Sequence, residues 1–120
     1  MKNLYISLMI ILSVHAYAKR AAPAPVTPII YNGIIYQTVP WKSKNGTHQN
    51  GGFVAAVKMD SAKVLWLKQV YKTNYNPNKE KDVQDVFIKS LELNKNKTHL
   101  IIKNEHKHIF KLTLNGQLVQ

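Results

Sequence analysis

Short runs of β-branched and aromatic residues, interrupted by turn signals every few residues, constrain the fold of this chain more than any other feature. Asn32-Gly33 and Asn115-Gly116 favour tight hairpins, because a type I′ turn needs positive φ at both central residues. The links between the runs are too short for the crossover helices that join parallel strands. The sequence therefore predicts an all-β antiparallel meander of about seven or eight strands.

The predicted strands follow one another from residue 29 to the end of the chain. They cover residues 29–31, 33–39, 53–59, 64–72, 86–93, 98–103 and 108–114, with a short edge strand at 117–120. Residues 83–86 are also compatible with a short turn. The run 64–72 begins with apolar residues on both of its faces, with Trp66 on one side and Leu67 on the other. This pattern predicts burial on both faces at the start of that strand.

The first 18 residues have the three parts of a cleavable secretory signal. Lys2 supplies a positive charge, residues 4–14 form an uncharged apolar run, and Ala16 and Ala18 supply the small residues that a signal peptidase accepts. The run is about half the length that a membrane span requires, so a retained anchor is the weaker interpretation. We expect a bacterial protein that is exported, periplasmic or secreted, with no transmembrane segment after signal removal.

The remaining chain divides into a linker and one domain. Residues 19–28 are rich in Pro and Ala and predict an extended linker. Residues 29–120 are the size of a single β domain. Because the chain contains no cysteine, this domain must be held by its core or by association, which suits a bacterial periplasm better than a eukaryotic extracellular space.

The strongly basic composition suggests anionic partners. Lys and Arg number 17 against 6 Asp and Glu, for a net charge of +11 that falls by one if Lys2 is removed with the signal. Basic proteins attract nucleic acid and anionic envelope polymers. Arg20 is the one arginine and the lysines are spread along the chain, which argues against nucleic acid. An alternative interpretation is an AT-rich genome that favours Lys and Asn codons.

Two stretches are similar to the blades of β-propellers. The first joins residues 31–36 to residues 52–66, and its matching positions are Gly52, Val54, Ala56, Lys63, Leu65 and Trp66. It resembles the blade repeat of quinoprotein-type (PQQ-like) propellers, from which it departs at Lys58, usually acidic, and at Ala62, usually glycine. The second stretch, residues 87–119, is similar to the looser repeat of WD40- or lactonase-like propellers.

The resemblance implies two blade-like sheets and a structural role for the tryptophan. In the family this residue packs between blades, so the resemblance assigns Trp66, with the turn glycines Gly33 and Gly52, to the fold. Known propellers close with four to eight blades, so we expect either a sandwich-like or open-barrel pair of sheets or a homo-oligomer. The family's quinone binds on the axis of a complete ring, and no cofactor is therefore expected here.

Three histidines form the one candidate metal cluster of the sequence. His106 and His108 are two residues apart, and His99 on the preceding strand could face His108 across a hairpin. Such a set could hold zinc or copper. The alternative interpretation is a polar turn in which the histidines have no metal role.

Candidate partner-binding residues lie in two loops. Asp82 and Asp85 form an acidic cluster in a basic chain, and Trp41 and His48 belong to a polar loop that could contact a glycan or an anion. Turn capping and charge balance are the alternative roles of the two aspartates.

No catalytic grouping stands out in the sequence. The chain has no cysteine, and Ser43, Ser61 and Ser90 lie in no nucleophile motif. We therefore expect a non-enzymatic exported module that binds another macromolecule, in the first place a protein. The alternatives are a basic polyanion or envelope-surface binder and a weak metal-binding protein.

Overall fold

The computed structural model describes residues 22–41 and 48–120, and it shows an all-β fold as predicted. Strands β1 to β4 form a first sheet in that order, and strands β5 to β7 form a second, with every neighbouring pair antiparallel. The strands are β1 (Ile29–Tyr31), β2 (Ile34–Val39), β3 (Phe53–Lys58), β4 (Val64–Gln69), β5 (Ile88–Leu93), β6 (His99–Asn104) and β7 (Ile109–Thr113). Each sheet is thus a simple meander.

The two sheets pack face to face around one shared core, which gives a sandwich-like arrangement. Alternate side chains of each strand point to opposite faces, and those on the facing sides interlock. The buried members of the core are Tyr36, Val54, Ala56 and Val70 from the first sheet and its end, and Ile88, Leu91, Leu100, Ile102 and Leu112 from the second. Val26 of the N-terminal arm packs against the same core, so this part of the predicted linker contacts the domain.

Tight turns form at both predicted dipeptides, but only Asn32-Gly33 has the two positive φ values of a type I′ turn; at Asn115-Gly116 the glycine alone has positive φ. Asn32 and Gly33 both have positive φ, at 50° and 74°, as a type I′ turn requires. Gly116, with φ of 86°, lies against Trp66, so that a Cβ at this position would stand 2.7 Å from Cδ2 of the tryptophan ring. Both the backbone conformation and the lack of space therefore demand glycine at residue 116.

The fourth strand is shorter than predicted because a side chain replaces its partner strand. The strand ends at Gln69 rather than at residue 72. Beyond it, the buried Gln49 amide donates to the Tyr71 carbonyl at 2.9 Å and accepts from the Thr73 amide at 2.7 Å. These two bonds satisfy the main chain as a neighbouring strand would, and they leave residues 71–73 outside the sheet.

The start of the fifth strand and the C-terminal edge strand also differ from their predicted positions. A single 3₁₀ turn, Asp82–Gln84, precedes β5, which begins at Ile88 with a register shift before Ser90. The predicted edge strand at 117–120 is reduced to one bridge between Leu112 and Leu118. In the part of the chain that the structure describes, no helix has the length and apolarity needed to cross a membrane.

Candidate protein-binding surface

The side of the first sheet that faces away from the second sheet, called here the outer face, is almost entirely apolar. Because Tyr36, Val54 and Ala56 point into the shared core, their neighbours along each strand point outward. The strand register brings these outward residues together. They are Ile30, Ile35, Gln37, Val39, Phe53, Ala55, Val57, Val64, Leu65, Leu67 and Gln69. Leu65 belongs to them as the extra residue of the register shift between β3 and β4.

Part of this outer face is buried and part is open. Val39, Phe53 and Ala55 are buried and form a cluster of their own. Toward the sheet edges, exposure is much larger: 60% for Ile30, 57% for Val64, 43% for Leu65 and 40% for Leu67. A contiguous apolar surface of this kind is typical of a protein interaction site.

The second sheet shows what a solvated face looks like in the same molecule. Its outward residues are mostly polar or charged: Ser90, Glu92, His99, Ile101, Lys103, Ile109, Lys111 and Thr113. Such alternation between an apolar inner and a polar outer face is the usual pattern of an antiparallel sheet with one side in water. The first sheet departs from this pattern.

Lysines surround the open edge of the outer face. Lys63, Lys68 and Lys72 lie before, within and after β4, and Lys58 ends the neighbouring strand. Asp60 is the one acidic residue between positions 53 and 76. The edge strand beside the apolar surface therefore carries positive charge, at both of its ends and, through Lys68, on its inner side, which would attract acidic groups of a binding partner.

Asp85, predicted to face a partner, lies inside the protein instead. It is only 6% exposed. Its Oδ1 accepts a hydrogen bond from the Tyr75 hydroxyl at 2.6 Å, and its Oδ2 accepts one from the Asn50 side chain at 3.2 Å. The carboxylate thus ties the connection between β4 and β5, which holds Tyr75 and Asp85, to Asn50 in the loop between β2 and β3. Asp82 lies in the 3₁₀ turn, where its carbonyl accepts the Asp85 amide.

The other two predicted partner residues lie near the ends of the loop that joins β2 to β3. Trp41 is 45% exposed and packs edge-on against Phe87, with ring centroids 6.0 Å apart. His48 is exposed, and the loop residues 42–47 between them, Ser43 included, lie outside the described residues. Gly52, with φ of 82°, has no room for a Cβ because Gln49 Nε2 would stand 2.7 Å away. The structure does not bring Trp41 or His48 to the outer face.

The three histidines do not come together. His99 pairs with Thr113 at one end of the β6–β7 hairpin, whereas His106 and His108 lie beyond its other end. The length of β6 separates the two ends by roughly 16 Å. The expectation that His99 faces His108 is therefore wrong. Among residues 22–41 and 48–120, no group of three His, Cys, Asp or Glu side chains is placed to hold a metal ion.

His106 and His108 instead belong to a turn fixed by Asn104. The buried Asn104 side chain accepts the main-chain N–H of both histidines, at 2.9 and 3.0 Å. The two imidazole rings lie edge to face, 6.1 Å apart. They line a cavity that Tyr71 and Asp85 also line.

Tyr71, which lines this cavity, and Tyr75 both have a raised pKa. Burial raises the pKa of Tyr71 well above its ordinary value, with the Glu105 carboxylate adding to the effect. The Tyr71 hydroxyl donates to the Val86 carbonyl at 2.6 Å. Burial, followed by the hydrogen bond to Asp85, raises the pKa of Tyr75 in the same way. Ionisation of either phenol would cost free energy, because burial disfavours the charged form and the Tyr75 phenolate would also stand beside the Asp85 carboxylate.

We expect the protein to lose stability in alkaline solution for this reason. Phenols of the unfolded chain ionise near pH 10, while Tyr71 and Tyr75 stay neutral in the folded state to a higher pH. The stability they supply is therefore complete below about pH 10 and is lost as the pH rises further. Urea unfolding between pH 8 and pH 11 measures this loss, and Tyr75→Phe should make the dependence on pH shallower. An identical dependence in that variant would contradict the role given to Tyr75.

Comparison with known protein families and with curated proteins finds no match for this chain. The propeller-blade resemblance of the sequence therefore stays a prediction. The exposed apolar residues of the outer face, Ile30, Val64, Leu65 and Leu67, were not among the predicted site residues. The two-sided apolar pattern at the start of residues 64–72 singled out this strand, but the burial on both faces that it predicted is wrong, because Val64, Leu65 and Leu67 are exposed.

Proposed function

We propose that this protein is an exported, non-enzymatic module that binds another protein through the outer face of its first sheet. The observation that carries the proposal is the contrast between the two sheets of one sandwich. The second sheet has a polar outer side, whereas the first has an apolar one with open residues such as Leu65 and Leu67. Export rests on the signal-like segment 1–18.

The expected loss of binding free energy follows from the apolar area that the two leucines of β4 leave exposed to water. Leu65 and Leu67 each keep about two fifths of their surface in water. Burying the open part of each leucine against a partner is worth about 1 kcal/mol, if full burial is worth about 2 to 3 kcal/mol. Replacing both should therefore weaken binding by about 2 kcal/mol, or roughly thirtyfold.

The test compares matched substitutions on the two sheets. We expect the double variant Leu65→Gln, Leu67→Gln to lose partner affinity. The control variant Ile109→Gln should keep it, even though it replaces an apolar residue that is more exposed, at 66%, than either leucine. A partner is first identified by cross-linking in the native host, and dissociation constants are then measured with the purified pair. Circular dichroism and thermal unfolding show that each variant is folded.

Equal affinities of the two variants would contradict the proposal. Binding of anionic polymer that weakens steeply with salt, and that is the same in wild type and double variant, would support the polyanion alternative instead.

A further inference from the structure

The edges of the two sheets differ in how well they are covered. Strand β1 has only three residues, and the edge of β7 is covered by the C-terminal segment, in which Val119 donates to the Lys111 carbonyl. The start of β5 lies beside Pro23 and Ala24 of the N-terminal arm. Strand β4 is different. It pairs with β3 along one edge, and in the described part of the chain no strand pairs with its other edge. It is a six-residue edge next to the apolar outer face.

The main chain of β4 offers hydrogen-bonding groups along this edge. Val70 donates to the Gly52 carbonyl at 2.7 Å, which shows that its amide points toward β3. In an antiparallel pair these directions alternate along the strand. The amides of Lys68 and Trp66 therefore also point toward β3, whereas the N–H and C=O groups of Leu67 and Gln69 point away from the sheet, to the open edge.

The side chains beside this edge define what could pair with it. Leu67 and Leu65 lie on the outer face and are exposed, whereas Lys68 points to the opposite side of the sheet. Lys63 and Lys72 stand at the two ends. An added strand would therefore place alternate residues on the side of the exposed Leu65 and Leu67. The residues between them would lie on the side of Lys68, which also carries the partly buried Trp66 and the buried Val70.

We propose that β4 accepts an extended, acidic segment of the partner protein as a fifth strand of the first sheet, with apolar and acidic residues alternating along it. This inference rests on the proposed function and specifies how the partner is recognised. Main-chain hydrogen bonds to Leu67 and Gln69 would give affinity, and the alternation of side chains would give specificity. A second copy of this chain fits less well, because two β4 edges would bring the lysines of both copies together.

The register shift at the start of β4 limits where the added strand pairs. It displaces Leu65 relative to β3, and such bulges increase the local twist of an edge. The regular part of the edge is thus the stretch from Leu67 to Gln69. This is why the amides of these two residues are the ones to measure.

The test uses two synthetic peptides of the same composition. One alternates valine and glutamate over eight residues, and the other groups all valines before all glutamates, so that it cannot present one apolar and one acidic side. We expect the alternating peptide to slow hydrogen exchange of the Leu67 and Gln69 amides at least tenfold, as followed by NMR. The amides of Trp66 and Lys68, already bonded within the sheet, should change little. The grouped peptide should have no such effect.

Substitutions at one position separate the main chain from the side chain. Leu67→Ala and Leu67→Pro both shorten the side chain, but only proline removes the N–H group that points to the open edge, where proline is tolerated. We expect peptide affinity to fall a few fold in the alanine variant and at least tenfold further in the proline variant. If the proline variant does not fold, the exchange measurement on the wild-type protein still decides the question.

Failure of this inference can be told from failure of the proposed function. If neither peptide protects Leu67 and Gln69, while the variant Leu65→Gln, Leu67→Gln still loses its native partner, strand addition is wrong and face binding stands. If that variant keeps its partner as well, both are wrong.

Protection that appears without peptide and rises with protein concentration, together with a doubled mass in light scattering, would overturn the proposal in favour of self-pairing. Equal protection by both peptides would contradict the proposal, because binding would then depend on charge alone and not on the alternation of residues. Lys68 would in that case serve only to keep the edge soluble.

Discussion

Replacing Trp66 by alanine is expected to lower the free energy of unfolding by about 3 kcal/mol, a large part of the stability of a domain of this size. The tryptophan joins the two sheets. Its Nε1 donates to the Leu114 carbonyl at 3.0 Å, and its ring lies 6.1 Å from that of Tyr36 and directly against Gly116. Alanine removes all three interactions and leaves a space that the turn at residue 116 cannot fill. Urea unfolding followed by circular dichroism measures the change.

Trp66→Phe provides a graded control. Phenylalanine keeps most of the apolar contact but leaves the Leu114 carbonyl without its donor, which should cost about 1 kcal/mol in addition to some packing. Gly116→Ala should also be destabilising, since its Cβ would contact the tryptophan ring and its φ is positive. An alanine variant at Trp66 with wild-type stability would mean that the sheets are held together by other contacts.

Replacing Asp85 by alanine is expected to cost about 2 to 3 kcal/mol, because its buried carboxylate binds two partners at once. The Tyr75 hydroxyl and the Asn50 amide would both lose their acceptor. With them the protein would lose the link between residue 50, in the loop between β2 and β3, and residues 75 and 85, in the connection between β4 and β5. Thermal and urea unfolding are the measurements, at a pH between 6 and 8 where the tyrosines are neutral.

Asp82→Ala is the matched control, since it removes the same charge three residues away. Asp82 is the first residue of its 3₁₀ turn, in which no residue is buried, and we expect a change within about 0.5 kcal/mol. A double-mutant cycle of Asp85→Ala with Tyr75→Phe should show coupling between the two residues. If Asp85→Ala left stability unchanged and weakened partner binding instead, the aspartate would be a contact residue, as the sequence had suggested.

The strands could be predicted from the sequence because their signals are local. Period-two alternation and Asn-Gly turns decide a hairpin within about ten residues, and β1 to β3 and β6 to β7 lie close to where these signals place them. The end of β4 could not be predicted in this way. It depends on Gln49, which binds Tyr71 and Thr73 more than twenty residues away.

The candidate site shows the same limit. Alternation reveals that β4 is apolar on both faces, but which face turns inward depends on how the sheets pack. Asp85 was predicted to face a partner because it belongs to an acidic cluster in a basic chain, yet it binds Tyr75 of its own connection and Asn50 of the loop between β2 and β3. His99 and His108 are near in sequence, and only the pairing of His99 with Thr113 shows that they stand at opposite ends of a hairpin.

Photo-cross-linking from the two sheets in the native host tests the central claim most directly. A photoreactive residue replaces Leu65 on the outer face of the first sheet in one strain and Ile109 on the outward side of the second sheet in another. Since Ile109 is 66% exposed and Leu65 43%, random collision would favour position 109. Our account predicts one discrete cross-linked protein from position 65 and none from position 109. The same product from both positions, or a product from position 109 alone, would contradict it.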